Sequence, residues 1–260
     1  MLNVLIAAFV PFLGTLIGSA MVFFSKNALN PKVEKVLKGF AAGVMIAASV
    51  WSLLIPSIEM SSDMGKLSIV PASVGFILGM LFLLCLDTFL PHLHTHSEEV
   101  EGIGNPSLKR KTMMFFAVML HNIPEGMAVG IVLAGFLTNN VSMSLMGAFS
   151  LSIGIAIQNI PEGSIVSFDM KEKGESNLKS FLYGSLSGIV EPLGSLVVIL
   201  FSALLAKTVP YFLSFAAGAM IYVVVEELIP ESQNGKHSNL ATIGVMFGFT
   251  LMMILDIVLA

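Results

Sequence analysis

The chain has 260 residues, of which 55% are hydrophobic and only 12% are charged, and its mean hydropathy is +0.89. Charged residues make up about a quarter of an ordinary soluble domain, so this composition excludes that class and indicates a protein embedded in lipid. The single cysteine excludes a disulfide framework, and a net charge of −4 with scattered basic residues argues against a nucleic-acid partner.

Long apolar runs bounded by charged residues predict eight membrane-spanning helices, numbered spans 1 to 8. About 20 residues cross the hydrocarbon core, and runs without polar alternation do not fit barrel strands. We therefore expect an all-α, polytopic membrane protein forming a single domain, residues 1–260, with a retained first span. The predicted spans are Leu2–Phe24, Gly39–Ile58, Leu67–Leu90, Thr112–Leu137, Val141–Phe168, Leu178–Ala206, Val209–Ile229 and Leu240–Ala260.

The lysine and arginine residues predict the orientation of these spans. Eleven of the thirteen fall in alternate loops, and only Lys66 and Lys207 fall in the others. Because basic residues stay in cytoplasmic loops, we expect a multi-pass protein of the cell membrane with both termini outside. The eleven are Lys26, Lys32, Lys35, Lys38, Lys109, Arg110, Lys111, Lys171, Lys173, Lys179 and Lys236.

Spans 1 to 3 resemble spans 6 to 8 in the same order. This likeness predicts two repeats, over about 1–90 and 178–260, on either side of a central pair of helices at about 112–168. Spans 2 and 7 cross the membrane in opposite directions, so the repeats are inverted, as in many transporters. Small-residue packing motifs that recur by chance are the alternative. The matching segments are Phe40–Ile46 with Phe215–Ile221, Gly75–Asp87 with Gly244–Asp256, and Leu13–Leu16 with Leu193–Leu196.

Two nearly identical hexapeptides lie in the central pair. Residues 121–126 read His-Asn-Ile-Pro-Glu-Gly, and residues 158–163 read Gln-Asn-Ile-Pro-Glu-Gly. In each, the first and fifth residues share one helix face. Two such faces opposed would surround one point with an imidazole, two carboxylates and an amide, donors that suit a borderline divalent cation. The four residues are His121, Glu125, Gln158 and Glu162.

The prolines and glycines of the hexapeptides predict local distortion. Pro124 and Pro161 each lack an N–H group, so we expect them to kink their helices and free backbone carbonyls. Gly126 and Gly163 are expected to let the two helix backbones approach each other.

Three of the glutamates within predicted spans are Glu125, Glu162, and Glu191 before Pro192. An ionised side chain at the bilayer centre costs about 2.5–3.5 kcal/mol. No lysine or arginine falls within the core of a predicted span, so the expected counter-ion is a bound metal or protons. The alternative is that the carboxyls stay protonated and hydrogen-bond across helices.

The hexapeptides, Glu191-Pro192 and the eight spans resemble the ZIP (Zrt-, Irt-like) family of divalent metal transporters, nearest its prokaryotic GufA-like and ZupT-like branches. The resemblance covers the whole chain. It implies a 3+2+3 helix arrangement, uptake of zinc and related ions into the cytoplasm, and a homodimer.

The resemblance also implies ligands. One metal ion is held in family members by the residues matching His121, Glu125, Gln158 and Glu162. A second, adjacent ion is held in some members by residues matching Asn122, Asn159, Glu125, Glu162 and Glu191. Asn159 is a departure, because that position is an aspartate in some binuclear members, and its neutral amide weakens the second site.

Several other residues have two interpretations. Met45 matches a family position on the outer approach to the metal, where it is a transient soft ligand or a packing residue. Ser52 marks the entrance to this path or hydrogen-bonds back to its own helix. Glu226, Glu227 and Asp256 form a release path or proton relay, or are solvated groups. The loop with His92, His94 and His96 collects metal or regulates transport, or is a flexible acidic segment.

The function expected is a carrier of divalent metals, zinc first, with iron, manganese, cobalt or cadmium as further substrates. The metal is cargo, and no cofactor or catalytic residue is expected. One alternative is an intramembrane metalloenzyme, although neither hexapeptide has the order His-Glu-x-x-His. The other is a proton-coupled carrier of an organic substrate.

Overall fold

The computed structural model describes residues 1–25, 29–89, 110–138, 143–205, 208–235 and 238–259. Within these ranges all the regular structure is helical. The predicted loop with His92, His94 and His96 lies outside the described residues. The principal helices are α1 (Leu2–Ala20), α2 (Pro31–Glu59), α3 (Ile69–Phe89), α4 (Arg110–Leu137), α5 (Leu145–Glu172), α6 (Asn177–Leu200), α7 (Val209–Gln233) and α8 (Leu240–Leu259).

Seven of the helices are long and apolar enough to cross a membrane, which confirms the predicted class of an all-helical polytopic membrane protein. The remaining helix, α5, has sufficient length at 28 residues. It is too polar to meet the same criterion because it carries the second hexapeptide and several buried serines. Since α1, α2, α4, α6 and α8 surround α5, its polar face meets protein instead of lipid. The eighth span and the 3+2+3 grouping stay predictions.

Helix α2 begins earlier than predicted. Asn30 caps it by accepting a hydrogen bond from the backbone N–H of Lys32 at 2.9 Å, and Pro31 occupies the first turn. Both are standard helix-start residues. Lys38 therefore lies inside the helix, where it is only 4% exposed. The predicted start of this span at Gly39 is therefore too late, because the charges of residues 32–38 resembled those of a loop.

Glycines allow the outer helices to pack as two closely similar pairs, α2 with α8 and α7 with α3. A Cβ atom on Gly248 of α8 would collide with the backbone of Phe40 in α2. A Cβ atom on Gly79 of α3 would collide in the same way with Phe215 in α7. These residues correspond in the predicted repeats. The repeats themselves stay a prediction.

Helices α2 and α7 each contain a π-helical turn that the sequence did not predict, at Ser49–Leu54 and Val224–Leu228. In each, the next residue donates its backbone N–H five residues back, from Ile55 to Val50 and from Ile229 to Val224. A proline follows both turns. Such wide turns re-aim side chains and occur often at functional sites.

Candidate metal centre

The two hexapeptides meet across α4 and α5. Both helices continue through their central prolines, Pro124 and Pro161. The Gln158 Nε2 atom donates a hydrogen bond to the Glu125 Oε1 atom. Both side chains are fully buried. The first residue of one hexapeptide thus contacts the fifth residue of the other, as the antiparallel arrangement predicts.

The reciprocal pair, His121 and Glu162, has an additional neighbour. These two side chains interact electrostatically, and the imidazole Nε2 atom of His121 also contacts the Glu227 carboxylate. Glu227 lies in the π-helical turn of α7. The sequence offered Glu227 only as part of a release path. The sequence signal for Glu227 was its position as a carboxylate within a span and close to Pro230. The π-helical turn that directs its side chain towards α4 has no recognisable sequence pattern.

Glu191 reaches the centre because α6 is broken. Its helical segments are Asn177–Ser187 and Val190–Leu200, so Glu191 lies in the first turn of the second segment, where the helix dipole favours a carboxylate. The Glu191 Oε1 atom accepts hydrogen bonds from the Thr15 hydroxyl at 3.0 Å and from the Asn122 amide at 3.2 Å. Glu191 therefore connects α1, α4 and α6.

The hexapeptide glycines face other helices than predicted. A Cβ atom on Gly126 would lie 2.7 Å from the Cα atom of Glu191 in α6. A Cβ atom on Gly163 would lie 3.1 Å from the backbone nitrogen of Ser19 in α1. The expectation that these glycines bring α4 and α5 together is wrong, because each lies on the face of its helix that packs against α6 or α1.

Buried oxygen atoms without a hydrogen-bond partner collect in this region. Such atoms are normally paired, and each unpaired one destabilises the protein unless another group satisfies it. Among the described residues, no lysine or arginine forms an ion pair with Glu125, Glu162 or Glu191. The six atoms are Asn122 Oδ1, Glu125 Oε2, Gln158 Oε1, Asn159 Oδ1, Glu162 Oε2 and Glu191 Oε2.

This donor set fits a divalent cation in composition. Carboxylate and amide oxygens with one imidazole accept several such ions. Within the described part of the chain, no three His, Cys, Asp or Glu side chains already converge in an arrangement that could hold a metal. The predicted convergence of His121, Glu125, Gln158 and Glu162 on one point therefore stays a prediction, and the amides must complete the ligand set.

The remaining candidates have distinct positions. Met45 is fully buried in the apolar core, and Glu226 is exposed. The Ser52 hydroxyl donates to the Asp256 carboxylate at 2.7 Å, so it bonds to another helix and not to its own. Asp256 is thus paired with α2. Roles in transport for these residues stay predictions.

A helical bundle that buries unpaired carboxylates among apolar spans defines an intramembrane ion-binding protein. The comparisons with known proteins identify the class further. The sequence model described as ZIP Zinc transporter matches residues 104–256, and the chain belongs to the ZIP family of zinc transporters.

Its relatives include the zinc transporter ZIPB of Bordetella bronchiseptica, which is 36% identical over 94% of this chain and 77% of its own length. The zinc transporter GufA of Myxococcus xanthus is 33% identical over 89% of this chain and 87% of its own length. The human zinc transporter ZIP11 is 32% identical over 94% of this chain and 93% of its own length. The chain is therefore a transporter of metal ions and not an enzyme, which eliminates both alternative functions.

Proposed function

We propose that this protein carries divalent metal ions, zinc first, across the cell membrane into the cytoplasm. The observation that carries the proposal is the cluster of six buried oxygen atoms that have no hydrogen-bond partner. Bound cations would satisfy these atoms and would offset the burial of three carboxyl groups. The printed names of the relatives, which are zinc transporters, support zinc as the first substrate.

The proposed primary ligands are the first and fifth residues of the two hexapeptides. The hydrogen bond between Gln158 and Glu125 supports their proximity, and the electrostatic interaction between His121 and Glu162 supports the second half of the set. Asn122, Asn159 and Glu191 form a weaker adjacent site for a second ion. Its weakness follows from Asn159, which contributes an amide oxygen where an aspartate would contribute a charge.

The direction of release is supported by graded exposure. The side chain of His121 is 13% exposed, whereas Glu125 and Gln158 are completely buried. His121 lies nearer than Glu125 to the basic start of α4 at Arg110, which the loop charges assign to the cytoplasm. Metal would leave past His121 on that side. For a doubly charged ion, an inside-negative potential of 100 mV supplies roughly 4.6 kcal/mol of driving force.

Alternating access is proposed to occur between two groups of helices. In one group α1 packs against α5 and α4 against α6, and in the other α2 packs against α8 and α3 against α7. Strong packing within the pairs supports movement of the first group, which carries the ligands, against the second. The proposed arrangement also includes inverted repeats, both termini outside the cell, and a homodimer. The apolar outer faces of α3 and α8 provide surface for lipid and for a second subunit.

The test is zinc uptake by liposomes that contain the purified protein. Glu125→Ala and Glu162→Ala should each reduce uptake to the level of protein-free liposomes, because each removes a carboxylate from the site. Glu172→Ala is the matched control, since Glu172 lies at the exposed end of α5, the helix that carries Glu162. Uptake at the wild-type rate by both site variants would show that the ligand assignment is wrong.

A further inference from the structure

Lys38 is a buried lysine held by two carboxylates. Its Nζ atom lies 2.8 Å from Glu34 one turn earlier in α2 and 2.9 Å from Glu231 in the last turn of α7. A buried ammonium group is tolerated only when it is paired, and removing one partner of such a pair is strongly destabilising. Among the residues with a described side chain, no other lysine or arginine is buried. Lys38 therefore joins α2 to the end of α7.

The end of α7 has little support from its own backbone. The turn Ile229–Gln233 directly follows the π-helical turn Val224–Leu228. Pro230 within it has no N–H group to donate back along the helix. An irregular turn followed by a proline leaves the orientation of this segment to tertiary contacts. The ion pair between Lys38 and Glu231 is such a contact, and this segment packs against α2.

The π-helical turn directly before this segment carries the carboxylate that contacts the metal centre. Glu227 lies four residues before Glu231, about one helical turn away, so both side chains extend from neighbouring positions on α7. Glu227 is only 5% exposed and contacts the imidazole of His121. A shift of the last turn of α7 relative to α2 would displace Glu227 from His121.

We propose that Lys38 is a positioning residue for metal binding, because it fixes the end of α7 and thereby holds Glu227 against His121. This inference rests on the proposed function in one respect, namely that His121 is a metal ligand. Carboxylates that orient a ligating histidine contribute strongly to metal affinity, and their loss typically weakens binding by about 10- to 100-fold. Lys38 acts one step further out, through Glu227.

The first experiment compares single variants by the KM and maximal rate of zinc uptake in proteoliposomes. Lys38→Met keeps the length of the side chain and removes the charge, and it should raise KM by about tenfold, the lower end of that range. Lys38→Arg keeps the charge and should retain a KM near that of the wild type. The exchange Lys38→Glu with Glu231→Lys restores an ion pair of reversed polarity and should return KM towards the wild-type value.

A purely structural role for Lys38 makes a different prediction. It would lower the unfolding temperature and the amount of folded protein while leaving the KM of the folded fraction unchanged. A wild-type KM in Lys38→Met, or a raised KM that the exchanged pair does not restore, would overturn the proposal. If Lys38→Met does not fold, Glu231→Gln applies the same criterion, since Lys38 then keeps Glu34 as its partner.

A second experiment tests whether Lys38 acts through Glu227. In a Glu227→Gln background, Lys38→Met should raise KM no further, because the contact that Lys38 positions is already altered. Independent, additive effects of the two changes would contradict the proposal.

Lys173→Met is the matched control and should leave KM unchanged. Lys173 pairs with Asp169 on α5 at 2.7 Å, with the same four-residue spacing as Lys38 and Glu34.

Failure of this inference is distinguishable from failure of the proposed function. Loss of uptake in Glu125→Ala and Glu162→Ala together with a wild-type KM in Lys38→Met would overturn only the role of Lys38. Wild-type uptake in both glutamate variants would overturn the metal centre itself.

Discussion

The two hexapeptides differ at one position, yet the structure gives them different surroundings. In α4, Glu125 is completely buried and accepts a hydrogen bond from Gln158. In α5, Glu162 is partly exposed and interacts with His121 and Glu227. The repeated motif therefore defines which donors are present, whereas the neighbouring helices define which of them are enclosed and which are accessible.

The surroundings differ because each hexapeptide packs against a different third helix. The glycine of the first, Gly126, contacts the broken segment of α6 and so brings Glu191 towards Glu125. The glycine of the second, Gly163, contacts α1. One half of the centre is consequently a closed carboxylate and amide cluster, and the other half is an imidazole and carboxylate cluster with some access to solvent.

The largest effect should come from filling the contact between the first hexapeptide and α6. Gly126→Val would drive a side chain into the backbone of Glu191, where no flexible side chain can move aside. Overpacking costs typically 1–3 kcal/mol, and about 3 kcal/mol is expected here because only backbone can yield. Thermal unfolding of the detergent-solubilised protein, followed by circular dichroism, measures this loss, and zinc uptake should disappear with it.

Gly194→Ala provides the control on the same interface. A Cβ atom at Gly194 would lie 3.5 Å from its nearest neighbour, the carbonyl carbon of Gly126, which is an ordinary van der Waals contact. This variant should unfold at or slightly above the wild-type temperature, because alanine is the better helix former. Equal unfolding temperatures for Gly126→Val and the wild type would contradict the packing of the first hexapeptide described above.

A smaller effect should follow from changing Asn159 in the enclosed half. Asn159→Asp adds a carboxylate beside Glu125 and Glu191, both of which interact with the Asn159 side chain. Without metal the added charge is repulsive, whereas a second cation would be held more tightly. Equilibrium binding should show the number of zinc ions per chain rising from one to two. Asn177→Asp, at the exposed start of α6, should bind as the wild type does.

Constant stoichiometry in Asn159→Asp would show that the neutral amide does not limit the second ion. Two bound ions in the wild-type protein would contradict the weak second site in the same way. The first result would separate Asn159 from the proposed second site, and the second would show that this site binds its ion despite the neutral amide.

The sequence predicted the helical membrane class and the central motif because both depend on local patterns. Apolar runs predicted eight spans, and seven of the helices are long and apolar enough to cross a membrane. The spacing of the hexapeptides predicted the contact between Gln158 and Glu125. Lys38 was misplaced because the charged first two turns of its helix resemble a loop. In such a turn, lysine is buried only if carboxylates from elsewhere in the fold reach it, and Glu231 is nearly two hundred residues away.

Glu227 and Thr15 show a second limit. Each contacts a centre residue from a different helix, and neither belongs to a recognisable motif. The orientation of Glu227 depends on a π-helical turn, which arises from a single extra residue in the turn and from tertiary packing. Sequence periodicity indicates the face of a regular helix, so it fails where the helix widens or, as in α6, where it breaks before Glu191.

The smallest expected effect concerns the one position at which the hexapeptides differ. Gln158→His would make them identical and place a second imidazole in the enclosed half, where its N–H group can still donate to Glu125. Imidazole suits zinc better than manganese, for which oxygen ligands are preferred. Competition between the two ions for uptake should therefore shift towards zinc by about fivefold, or about 1 kcal/mol. An unchanged ratio of zinc to manganese uptake would mean that residue 158 only fixes the Glu125 carboxylate and is not itself a metal ligand.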